Sequence, residues 1–170
     1  MDRAYRCVVT GRDTDGKSVV VRDTMVGTAA LGSADFWKTT TSPASLAQHW
    51  SPSDAFRLEP PAGGTIFRFF EIPPQEPNLT ADEAERAAAA AFAAAGASRC
   101  RVDTRRHPMM HTTSTIDYVV VLRGRVTLLL DQAEVALSPF DVVVQRGTNH
   151  YWLNPGPDPA LLMGVLLDAR

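Results

Sequence analysis

Cysteine is scarce in these 170 residues: Cys7 and Cys100 stand far apart, neither in a CxxC pair, which excludes a disulfide scaffold. They read as reduced thiols, although spacing alone does not forbid a bond between them. Long apolar runs are missing too. No stretch approaches the roughly 20 residues of a membrane span, and the opening MDRAYRCVVTGRD holds no apolar run of signal-peptide length. The expected compartment is the cytoplasm. Seventeen Lys and Arg stand against nineteen Asp and Glu, a formal charge of −2, with no basic stripe to neutralise phosphates. Nucleic acid and membrane are therefore not expected partners. Histidine is limited to four, so a histidine site must draw on His49, His107, His111 and His150.

What is present fits one domain over 1–170, with apolar residues at 45% and charged residues at 21%. Residues 1–75 read as N-terminal strands and an irregular loop. YRCVVTG and KSVVVRD form an opening hairpin about Asp15-Gly16; GRDTDG is too short for a calcium loop and lacks the closing Glu. From 24 to 64 the chain is irregular, with Trp37, Trp50 and Phe56 inserted, and so long a loop with three large aromatics is expected to pack down in part. TIFRFFEIPP reads as a strand stopped by two prolines. Residues 80–96 make the one clear helix: Thr80 and Glu83 form a capping box, Gly96 sits at the C-cap, and the body is alanine-rich with Phe92 as its large apolar side chain. Such a helix is expected outside the core, on a surface or as a lid.

Past residue 110 strands follow one another every 8 to 12 residues or so, in the manner of a sandwich or barrel, so the fold class is all-β. Alternation along an extended segment puts His111, Thr113, Thr115 and Asp117 on one face, joined by His107 if the chain is already extended there. His150, Trp152 and Asn154 share a face by the same rule. The plain alternative for His111 and His150 is a pair of core histidines bonded to backbone or hydroxyls, and for Asp117 a strand-end carboxylate facing solvent. His107 precedes a proline, which favours an exposed extended loop.

The order His111, Thr112, Thr113, three residues, Asp117, six residues, Gly124, followed by Gly147, two residues, His150, three residues, Asn154, resembles the two motifs of the cupin superfamily. The likeness is densest over 107–168, to small single-domain cupins carrying HxTxTxDY and VQRGTxHxWxN. It implies a double-stranded β-helix, or jelly-roll barrel, around a small-molecule pocket. Family metal sites take two histidines of HxH, a Glu and the histidine of the second motif. The resemblance therefore implies His111, Asp117 and His150 as ligands of a divalent transition metal (Fe, Mn, Zn or Ni), with Thr113 where the second histidine would stand. A hydroxyl is a poor ligand for such ions, and His107 turned inward could replace it.

The expected function is a metal-dependent enzyme acting on a small carbonyl or carboxylate compound by decarboxylation, dehydration, isomerisation or cyclisation, of the kind found in secondary metabolism. His107 or Tyr118 would move the proton, and Thr113, Gln145, Asn149, Trp152 and Asn154 would line the pocket. A non-haem iron dioxygenase and a non-catalytic binding or sensor protein are the alternatives. The resemblance also implies a homodimer paired through the N-terminal strands.

Overall fold

The computed structural model describes residues 3–50, 56–75 and 79–169. Strands β1 (Ala4–Arg12) and β2 (Ser18–Gly27) form the expected hairpin, a two-stranded sheet of its own. Its turn is closed by the Asp13 carboxylate, which accepts the amides of Asp15 and Lys17 at 3.0 and 2.8 Å. Alternation gives the hairpin an inner face, where Tyr5, Cys7 and Val26 meet Phe36 and Phe69.

The 24–64 stretch is less irregular than its composition suggests. Besides the end of β2 it contains β3 (Ser33–Thr39), which pairs antiparallel with β4 (Thr65–Ile72). Both faces of β3 are covered, so SADFWKT lacks a clean polar and apolar alternation and reads as loop. The three aromatics pack down onto cations: Trp37 and Trp50 flank the Arg22 guanidinium at 5.7 and 5.6 Å, and Phe56 lies 4.9 Å from that of Arg68. Residues 51–55 of this loop lie outside the described residues.

Helix α1 (Ala81–Ala94) starts at the expected capping box, with the Glu83 amide donating to Thr80 Oγ1 at 3.3 Å and the Thr80 amide donating to Glu83 Oε2 at 2.9 Å. It ends in a Schellman turn: the Ala97 amide reaches back to the Phe92 carbonyl, the Gly96 amide to that of Ala93, and Gly96 takes φ 63°. One face is buried after all. Phe92 packs with Ala95, Ala97 and Cys100, so its ring anchors the alanine helix to the body of the protein. No helix among the described residues is long and apolar enough to cross a membrane.

Six further strands complete the fold: β5 (Thr115–Arg123), β6 (Val126–Leu130), β7 (Glu134–Leu137), β8 (Val142–Arg146), β9 (His150–Leu153) and β10 (Ala160–Asp168). They build a five-stranded sheet in the order β3-β4-β10-β5-β8 and a three-stranded sheet in the order β7-β6-β9. Val119, Val121, Ala160 and Leu162 from the larger sheet close on Val126, Leu128, Leu137 and Trp152 from the smaller. This is the all-β double-sheet jelly roll expected, with the two sheets not hydrogen-bonded into a closed cylinder.

The glycine between β5 and β6 has a steric reason. Gly124 takes φ 81°, and a Cβ there would lie 2.9 Å from the Ala160 Cβ. Gly124→Ala should lower the unfolding free energy by roughly 2 kcal/mol, the combined cost of a left-handed non-glycine residue and a forced shift of β10. Urea denaturation measures this, and an unchanged midpoint would contradict the steric account.

Candidate functional site

Between the larger sheet, β9 and α1 lies a cavity of about 690 Å³. Most of its wall is apolar, with Phe70, Phe92, Met109 and Trp152 among the lining side chains, while Ala84, Ala87, Ala88 and Ala91 present the helix. Polar groups come from β4, β5, β9 and the segment before β5.

His111 and His150 are placed by backbone rather than by their own side chains. Each amide donates to the carbonyl of the other at 3.0 Å, an isolated antiparallel bridge that extends β9. Their rings are thereby held 4.5 Å apart between centroids. Phe92 covers His111 at 5.1 Å, and Trp152 stands edge-on to His150 at 6.1 Å. Each ring also bonds a carbonyl two residues upstream: His111 Nδ1 to Met109 at 3.0 Å and His150 Nδ1 to Thr148 at 2.9 Å. A carbonyl only accepts, so the proton sits on Nδ1 and the Nε2 lone pair is free in both rings. Burial keeps them neutral. It pushes the His150 pKa down to about 3, helped by the neighbouring His111, and it lowers that of His111 as well.

Asp117 enters from β5 as alternation requires. It is buried, and its Oδ1 has no hydrogen-bond partner among the described residues. Burial raises its pKa to about 6, against the opposing pull of a Thr115 hydrogen bond and of the Arg68 charge. Thr113 also lines the cavity, its hydroxyl 2.7 Å from that of Thr115. His107 turns inward to the cavity lining and stacks on Tyr151 at 4.1 Å. Its Nδ1 accepts the Met109 amide at 3.1 Å, so its proton sits on Nε2, the reverse of the other two histidines.

Several expected site residues lie elsewhere. Tyr118 follows Asp117 on the strand, so its side chain points to the opposite face and is half exposed, away from the cavity. It cannot move a proton there. Gln145 is buried but bonds Thr148 in its own turn, outside the cavity lining. Asn149 donates to the Asp103 carbonyl and to Asp131, both at 2.9 Å, stitching loops together. Asn154 ties Ile72, Gly156 and Asp158 at 2.8 to 2.9 Å and serves the β9–β10 connection. Of the expected pocket residues, Thr113 and Trp152 line the cavity. Arg68, Phe92 and Tyr151 line it without having been expected.

No family model matches the chain. A phomopsin biosynthesis cluster protein C' of Diaporthe leptostromiformis is 55% identical over 47 residues, 27% of this chain and 25% of that protein. A cupin-domain-containing oxidoreductase of Neurospora crassa is 40% identical over 65 residues, 36% of this chain and 33% of that protein. Over these stretches the chain is similar to cupin-domain proteins. The match to these curated relatives spans between a quarter and a third of their length. A Cupin 2 conserved barrel domain protein from Salinispora arenicola covers 72% of both chains at 14% identity, with a TM-score of 0.40.

The metal ligand set implied by the motifs is not gathered among the described residues. Among the described residues no three His, Cys, Asp or Glu side chains gather closely enough to hold an ion. His111 and His150 offer two imidazole nitrogens where zinc or iron takes four or more donors, and the Thr113 hydroxyl is engaged with Thr115. What remains is a pair of neutral imidazole bases beside a carboxyl that titrates near neutrality, the pattern of an acid–base site.

The two shifts act on stability with opposite sign. Between pH 3.8, the ordinary Asp value, and about 6, the folded protein keeps the Asp117 proton that the unfolded chain has released, so this contribution is full below that window and is lost as pH rises through it. The unfolded His150 takes up a proton below 6.5 while the folded ring resists to about pH 3, so stability is lost as pH falls. Asp117→Asn should therefore stabilise the fold at pH 8 by roughly 1 to 3 kcal/mol and leave a curve that rises from pH 4 to 6. Denaturation at stepped pH checks both; no gain at pH 8 would show that Asp117 is not held in a desolvated site.

Proposed function

We propose that this cupin is an acid–base enzyme of secondary metabolism acting on a small enolisable carbonyl compound, by isomerisation, dehydration or cyclisation. The observation that carries this reading is the pairing of two free Nε2 lone pairs with a carboxyl of pKa about 6 in one largely apolar cavity. The relatives support the metabolic setting, since similar proteins are named for the phomopsin and oryzines biosynthesis clusters.

In the proposed step the neutral Nε2 of His111 takes a proton from the carbon next to the carbonyl, while His150, which resists protonation to about pH 3, stays neutral beside it. The C–H electron pair moves into the new C=C bond, and the carbonyl oxygen receives the displaced π pair. Below about pH 6 the protonated Asp117 hydrogen-bonds that oxygen, where charge develops. Return of the proton to a different carbon isomerises the compound; loss of a β-hydroxyl as water dehydrates it. The Nε2–H of His107 is a second donor at the cavity wall, and the apolar surround keeps water from competing.

A panel of small cyclic ketones in D₂O tests this, with replacement of the α-hydrogen followed by proton NMR. Exchange should be accelerated, and His111→Ala and Asp117→Asn should each lose at least tenfold, the lower range for a general acid or base. Exchange at the buffer rate for every ketone that binds would sink the enzyme reading in favour of a carrier or sensor. Metal analysis of the purified protein should find well below one transition ion per chain; a stoichiometric ion that raises the melting temperature would restore the metal reading.

We further propose a homodimer formed through the hairpin of β1 and β2. Val8, Val20, Val21 and Met25 are between 48% and 60% exposed there, and a second copy would cover them. Sedimentation equilibrium should give twice the 18.5 kDa of one chain, and a single-chain mass would overturn the proposal.

A further inference from the structure

A charge inside an apolar strand needs a reason, and Arg68 is one: it lies mid-way along β4, is 3% exposed and lines the cavity. Its guanidinium is held rigidly from one side. Nε stands 2.9 Å from Asp35 Oδ1 as an ion pair in which neither atom completes a hydrogen bond, and Nη2 donates to Asp35 Oδ2 at 3.2 Å and to the Arg57 carbonyl at 2.6 Å. Phe56 lies against the guanidinium at 4.9 Å. Nη1 has one long bond, to the Leu58 carbonyl at 3.4 Å, and a second N–H with no acceptor among the described residues. On the other side of β10, the buried Oδ1 of Asp117 is likewise without a partner.

The strand between them is shaped for this meeting. In the larger sheet β10 separates β4 from β5, and the residue opposite Arg68 is Gly164. A Cβ at that position would lie 3.2 Å from Phe70 and 3.3 Å from Leu166. Glycine therefore leaves room on the cavity side of β10 where any other residue would crowd the wall.

We infer that Arg68 is the ligand anchor of the cavity, receiving an anionic oxygen of an otherwise apolar compound. The ligand class is thus an aromatic or alicyclic carboxylate, phenolate or stabilised enolate. A pre-oriented guanidinium whose remaining N–H points at no protein acceptor supplies a charge-assisted hydrogen bond at little ordering cost. Asp35 acts as a positioning residue, fixing the plane of the guanidinium. The inference rests on the cavity being a substrate site, as proposed above: the oxygen bound by Arg68 is the one on which the enolate charge would come to rest.

Calorimetric titration with 2-naphthoate and with its neutral isostere 2-naphthamide tests the anchor without needing any variant. The carboxylate should bind the wild-type protein at least tenfold more tightly than the amide. Arg68→Met should abolish that preference while leaving the amide within about threefold; Asp35 keeps Lys38 at 3.0 Å as a partner, so the substitution does not strand its charge. Should Arg68→Met fail to fold, Arg68→Gln is the second variant, retaining amide donors for the Arg57 and Leu58 carbonyls while losing the cation. Equal affinity for the two probes in the wild type, no binding of either up to millimolar concentration, or a preference that survives loss of the cation would overturn the inference. Loss of the preference in the variants together with no α-hydrogen exchange in the wild type would leave the anchor standing and remove only the acid–base enzyme.

Discussion

The reciprocal backbone bonds between His111 and His150 are the constraint on which the site depends. Two N–H···O contacts of 3.0 Å join the segment before β5 to the start of β9, bringing together residues 39 positions apart in the chain. Because the pairing is made by main chain, both imidazoles are set at a fixed separation before either forms a side-chain contact. The carbonyls of Met109 and Thr148 then fix the tautomers, each acting on the ring two residues later. Gly147 belongs to the same device: with φ 59° and Thr113 O only 3.1 Å from where a Cβ would be, it allows the turn into β9 to press against the His111 segment. Bridge, glycine and tautomers together make a pair of bases whose geometry the rest of the fold need only shelter.

Much of this was legible in the sequence, for reasons that differ by residue. Period-two alternation put Asp117 and Thr113 inward, and the same alternation, applied strictly, sends Tyr118 outward; proposing it as a proton carrier ran against its own parity. Strand recurrence every 8 to 12 residues or so carried the all-β class, and the double-sheet barrel was what the resemblance of the His111 to Gly124 and Gly147 to Asn154 motifs implied. The ends of α1 followed from local chemistry at Thr80, Glu83 and Gly96, which needs no tertiary information.

What stayed hidden had physical causes. Arg68 sits in TIFRFFEI, where Ile66 and Phe70 face the interior while Phe67 and Phe69 face the aromatic residues of β1 and β3. With apolar residues on both faces, no alternation marks which side the arginine takes. β3 was masked in the same way. Gln145, Asn149 and Asn154 carry the polarity of pocket residues, yet their side chains secure turns, and nothing in a one-dimensional pattern separates a buried amide that holds a loop from one that meets a ligand. The metal expectation turns on a subtler point. Spacing placed the right residue types along the strands, but the convergence of three donors depends on distances across sheets.

The alanine face of α1 gives the cavity an adjustable boundary. Ala84, Ala87 and Ala91 reach the cavity with one methyl each, from a helix held by its caps and by the buried Phe92 and Ala88. Exchanging one for leucine or methionine costs only a few tenths of a kcal/mol in helix propensity, while it removes room on the wall opposite the sheet. Related chains could thus diverge in the size of compound they accept by single changes on this one surface, leaving the histidine pair, Asp117 and Arg68 untouched. Under the proposed function, shape selection and bond-making chemistry fall to different secondary-structure elements, and each is free to vary while the other is kept.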